Sequence, residues 1–228
     1  MGNTRKRALW LRWVAANALG EVFGLGGTFT VGALAISRLG DLPGVIFVLV
    51  SFLVAVLSGA IEATIVGLAQ WWAMHPWFQA ITRREWWSAT LVGALVAYVL
   101  GYLPSTIMHL SEQAATPQAA AAAQPGAEPA QWIILLLAAG MGLVGGAVLS
   151  FAQWLVLRNR VTGAGWWITA NMLAWMAGMP LIFWGIDAAQ KGQPVWQAVL
   201  LMVGVLCLAG VVVGGIHGLF LVKLAGSE

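Results

Sequence analysis

VIFVLVSFLVAVLSGAIEATIVGLAQWW, residues 45–72, decides how this chain is read. It holds a single ionisable residue, Glu62, in a run longer than the ~20 apolar residues that a helix needs to cross a bilayer. Gly59, Ala63 and Gly67 recur at every fourth position, which lays them on one helix face. The run ends in Gln70-Trp71-Trp72, and tryptophan settles at headgroup level.

Working outward, five more stretches have this character: about Trp13–Ser37, Trp87–Met108, Ile133–Leu157, Trp167–Ile186 and Val199–Val222. Only 8% of the chain is charged and 61% is hydrophobic, against about 25% charged in a soluble domain. The prediction is an all-α bundle of six transmembrane helices. The one cysteine, Cys207, excludes an intrachain disulfide and any Cys-based zinc cluster.

The charges orient the bundle. With the N-terminus inside, the cytoplasmic segments hold Arg5, Lys6, Arg7, Arg12, Arg83, Arg84, Arg158, Arg160 and Lys223, and the outer loops only Arg38 and Lys191. The positive-inside rule then places both termini in the cytoplasm and the protein in a bacterial-type inner membrane. The same placement explains the net charge of +3 without nucleic acid. A signal peptide is the rival reading of the N-terminus, but its apolar core would span only about 7–15 residues.

Residues 1–12 thus read as a basic cytoplasmic segment, 13–222 as the membrane domain and 223–228 as a cytoplasmic tail. Residues 111–131, carrying TPQAAAAAQPGAEPAQ, read as a flexible outer loop.

Within the membrane domain the chain repeats itself. Trp13-Val-Ala-Ala-Asn17 matches Trp167-Ile-Thr-Ala-Asn171, with a more divergent copy from Trp87. Gly20 and Gly24 follow in the first copy. The even-numbered helices match too: Gly59, Ala63, Gly67 and Gln70-Trp71 lie over Gly142, Gly146, Ser150 and Gln153-Trp154. The last helix offers Gly210, Gly214 and Gly218 without the Gln-Trp pair. Three two-helix hairpins, about 13–77, 86–158 and 166–222, are expected to pack through these small-residue faces.

Few polar groups lie within the spans. Glu21 and Glu62 fall at one depth on the two arms of the first hairpin and break the repeat, their counterparts being Leu95, Trp175 and Gly145. Asn17 is one turn from Glu21 on the same face. Two close carboxyls in low dielectric cannot both ionise, so the pair could take up a proton or a cation. Gln70, Gln153 and Asn171 read as interhelical hydrogen-bonding groups, and as lesser ligand candidates. His217 stands among glycines, which would leave room for a flat axial ligand such as a tetrapyrrole.

No His-Glu-x-x-His, Gly-x-Ser-x-Gly or P-loop motif is present, so no enzyme is expected, and no metal site. The pattern Gly142, Gly146, Gln153, Trp154, Leu157, Arg158 resembles uncharacterised Trp- and Gly-rich polytopic membrane proteins of bacteria. The resemblance covers mainly the fourth and fifth helices and implies no activity. Two functions remain open. One is a non-enzymatic bundle that binds lipid, pigment, another membrane subunit or its own kind. The other is a small carrier coupled to protons or cations through the buried carboxyls.

Overall fold

The computed structural model describes residues 2–114 and 129–226. Six helices account for nearly all of them: α1 Asn3–Leu39, α2 Gly44–Met74, α3 Arg83–Ala114, α4 Gln131–Leu157, α5 Trp166–Ala189 and α6 Val195–Ala225. All six are long and apolar enough to cross a membrane, the architecture of a multi-pass membrane protein.

The helix ends follow local chemistry. Thr82 and Glu85 form a reciprocal capping box at the start of α3: the Thr82 backbone N–H donates to Glu85 Oε2 (3.1 Å) and the Glu85 N–H to Thr82 Oγ1 (3.3 Å). α2 and α6 each begin one residue after a proline, Pro43 and Pro194, whose extended backbone cannot continue a helix backwards. Gly163, at φ 76°, turns the chain between α4 and α5, where a Cβ would be strained.

Two boundaries differ from the sequence reading. The basic segment 1–12 is helical from Asn3, because Arg, Lys, Ala and Leu favour helix and nothing there breaks it. Ser111–Ala114 belong to the last turn of α3 rather than to the outer loop. Most of that loop lies outside the described residues.

Each helix packs on its neighbours in the chain, and α1 packs on α6, closing a ring. Small residues set the spacing. A Cβ on Gly24 would lie 3.0 Å from Glu62 Cα, and one on Gly20 would lie 3.2 Å from Val66 Cγ2. On the next seams, Gly59 faces the Tyr98 ring, Gly67 faces Thr90, and Gly142 and Gly146 meet the α5 backbone at Trp175 and Asn171. Gly210 and Gly214 meet α1 at Ala18 and Asn17, Gly218 meets Trp10, and Ala63 is buried. In lipid such close approach stabilises by van der Waals contact.

Burial is uneven along the ring axis. A large cluster with Leu9, Trp13, Met74, Trp86, Leu157, Trp167 and Leu221 fills the end that carries the arginines. The other half has a smaller cluster around Leu25, Ile182, Leu206 and Ala209.

Candidate functional site

At the arginine-rich end Trp13, Trp86 and Trp167 meet edge to face, with centroids 5.7–6.5 Å apart, all fully buried. Such contacts between indoles are favourable beyond the area they bury. The sequence alignment brought Trp87 into this position. The structure puts Trp86 there instead, while Trp87 is half-buried and donates its indole N–H to Thr64 (3.2 Å). With two adjacent tryptophans the pattern cannot choose, and only Trp86 faces the centre.

Four residues after each central tryptophan stands a polar side chain that donates back to it. Asn17 Nδ2 reaches the Trp13 carbonyl at 2.8 Å, Thr90 Oγ1 that of Trp86 at 2.9 Å, and Asn171 Nδ2 that of Trp167 at 2.9 Å. Two glutamines tie these together. Gln70 donates to Asn17 Oδ1 (2.9 Å) and accepts from Trp86 Nε1 (3.3 Å). Gln153 donates to Thr90 Oγ1 (3.0 Å) and accepts from Trp167 Nε1 (2.9 Å). Gln70, Gln153 and Asn17 therefore form a hydrogen-bonded layer across the bundle with their amides committed there, while Asn171 bonds back within its own helix.

His217 lies in the same layer, its ring centred 6.4 Å from Trp13 and 5.4 Å from Trp167. Neither of its nitrogens has a partner, nor does the buried Trp13 Nε1. The glycines around it are already occupied: Gly214 by Asn17 and Gly218 by Trp10 and Trp13. The room anticipated for a flat macrocycle is filled by indoles, so His217 is no axial-ligand candidate.

Two helical turns beyond Trp13, on the same face of α1, lies Glu21, ~12 Å along the helix axis at 1.5 Å per residue. It is 1% exposed and neither carboxyl oxygen has a hydrogen-bond partner. Glu62 of α2, half-buried, interacts with it electrostatically and accepts a hydrogen bond from Tyr98 Oη of α3. Tyr98 in turn lies 5.9 Å from Tyr102. Gly24 makes the pair possible, since any side chain there would push the Glu62 backbone away.

The sequence placed both acids at one level, and the structure brings them together. It does not add Asn17, whose bonds point to the amide layer. Tyr98 escaped notice because the alignment put it at a small-residue position. The signal was present nonetheless, since the chain has only two tyrosines and they stand four residues apart in one span. Trp175, which aligns with Glu21, also has a buried indole N–H without an acceptor.

Among the described residues no ion pair involves Glu21 or Glu62, and no group of three or more His, Cys, Asp or Glu could hold a metal. The site is acidic, desolvated and without a counter-charge. Such a site can hold a proton or a small cation, and offers no nucleophile paired to a base.

No protein-family model matches the chain, and neither curated proteins nor solved structures provide a match.

Proposed function

We propose that this is a small carrier coupled to a proton or a monovalent cation, with Glu21 and Glu62 as the ion site and Tyr98 as its positioning partner. One observation carries the reading: Glu21 is buried with both carboxyl oxygens unpartnered, beside a second carboxyl and without a basic neighbour in ion-pair contact. A negative charge in that position is expensive, and intramembrane acids mark ion pathways more often than packing. A proton or a cation would neutralise it.

The proposed frame is an inner-membrane bundle of three repeated hairpins, both termini cytoplasmic, without enzymatic activity. What supports the repeat is the equivalent placing of Trp13, Trp86 and Trp167 and of Gln70 and Gln153. Nine of the eleven basic residues at one end support the orientation.

The test is flux in proteoliposomes. The wild-type chain is expected to move protons or a monovalent cation down an imposed gradient, read with a pH-sensitive dye. Glu21→Gln and Glu62→Gln are each expected to abolish it. Unchanged flux in the double variant sinks the carrier reading.

A second reading, a non-catalytic scaffold or lipid- or pigment-binding subunit, has its own observation. Gly101 of α3 and Gly140 and Gly145 of α4 have open space around them, along an apolar groove of about 460 Å³. Purification in mild detergent, with intact mass and an absorbance spectrum, separates the two. A heavier complex or visible bands favour the scaffold, and a colourless protein of bare-chain mass favours the carrier.

A further inference from the structure

We infer that the arginine-rich end of the bundle carries a binding site for a soluble phosphate-bearing anion, independent of the carboxyl pair. A cavity of about 400 Å³ opens there. Its walls come from three sides of the ring: Arg5 at the start of α1 with Ala225 at the end of α6, residues 76–81 between α2 and α3, and Arg160 between α4 and α5. It therefore sits over the ring axis, floored by the buried cluster to which Phe78, Ile81 and Val161 belong.

The polar side chains that face this space are suited to anions. Arg5 and Arg160 bring two guanidinium groups, Gln79 an amide, and among the described residues no carboxylate lines the wall. Trp77, also in the wall, has a buried indole N–H without an acceptor. Arg160 is held in place by Glu85, at 2.6 and 3.0 Å. That pairing uses two of the five N–H donors of a guanidinium and leaves others for a ligand. Arg5 is in none of the ion pairs among the described residues. Forked donors match the oxygens of a phosphate group two at a time, and the volume exceeds what a single phosphate fills.

The same chemistry could come from an acidic lipid headgroup. The axial position argues for a solute, because the helix ends separate the cavity from the surrounding bilayer. A headgroup would have to leave its own plane to reach Arg5 and Arg160 together.

The test uses the full chain in neutral detergent free of phospholipid, with inorganic pyrophosphate as probe against chloride at matched ionic strength. Ligand that binds only the folded state raises Tm. Pyrophosphate is expected to raise it by several degrees, with a midpoint shifted about tenfold or more in Arg5→Gln, a loss of about 1.4 kcal/mol. Arg160→Gln is expected to do the same but also removes the Glu85 contact. Arg5→Gln, which breaks no ion pair among the described residues, keeps the test clean.

A rise seen only when phosphatidylglycerol replaces phosphatidylcholine in nanodiscs, and lost in Arg5→Gln, would support the site with a lipid as its phosphate source and overturn the solute. No rise with either probe, or one that persists in both variants, overturns the proposal.

Discussion

Around the tryptophan layer, two seams of the ring are built alike and the third is not. Where α2 meets α3, and where α4 meets α5, an indole N–H finds a glutamine oxygen and the glutamine amide finds a second side chain. Where α6 meets α1, His217 takes the glutamine's place, and Trp13 Nε1 and both imidazole nitrogens are left without partners. The shape is kept, as the ring contacts of His217 with Trp13 and Trp167 show. Aromatic packing and hydrogen bonding are thus separable: the third seam retains the first and forgoes the second. Glu21, two turns along α1, forgoes both repetition and satisfaction, with neither carboxyl oxygen partnered, and it is there that the proposed ion site rests.

The largest expected effect tests the packing common to all three seams. Trp86→Ala should cost about 3–5 kcal/mol, as for other buried aromatics truncated in a packed core, in reversible unfolding monitored in detergent. Trp87→Ala should cost far less, since that side chain is half-buried with one hydrogen bond. Equal losses would put Trp87 at the centre and undo the seam-by-seam comparison.

Next comes the bonding that only two seams have. Gln153→Leu keeps the volume while stranding Trp167 Nε1 and removing the donor to Thr90, at about 1–3 kcal/mol for buried groups left unpaired. The converse change sharpens the contrast. His217→Gln should restore the missing bonds at the third seam and raise stability by about 0.5–1.5 kcal/mol. A loss of stability instead would mean that the imidazole is already engaged in a way glutamine cannot reproduce.

How much of this could be read from the sequence follows from what each feature depends on. Helix number and approximate spans rest on composition, which residues 45–72 declare without any neighbour. That Gln70 and Gln153 bond between helices is legible too, because an amide in lipid needs a partner somewhere. Which partner was not legible: Trp86 for Gln70 and Trp167 for Gln153 lie on the next hairpin, and the Trp86-Trp87 doublet hides the register. The surroundings of His217 are not legible, because a glycine in sequence does not say whether the space beside it is empty. At a seam between touching helices a glycine can be where another helix or an indole already sits, as Gly214 and Gly218 show, while Gly101, Gly140 and Gly145 stand open.

One residue before each central tryptophan the three seams part company altogether, and the smallest prediction lies there. Arg12 stacks on Trp72 at 4.3 Å and lies 5.7 Å from Trp77, Trp166 meets Lys223 at 5.3 Å, and Glu85 pairs with Arg160 at 2.6 Å. Glu85 lies outside the apolar stretch that begins at Trp87. The Arg160 guanidinium first, then the Thr82 hydroxyl and backbone N–H, hold its carboxyl down at about 2. A depressed carboxyl adds stability above its unfolded value of about 4.3. That contribution fades as pH falls from there through about 2. Both partners are about one-third exposed, so solvent screens the pair and its worth is under about 1 kcal/mol. Comparing wild type with Glu85→Gln between neutral and acid pH isolates it: the gap should be small at neutral pH, shrink on acidification and shrink again in high salt. A gap as large as that of Gln153→Leu would mean that the rim, and not the indole layer, holds the seams together.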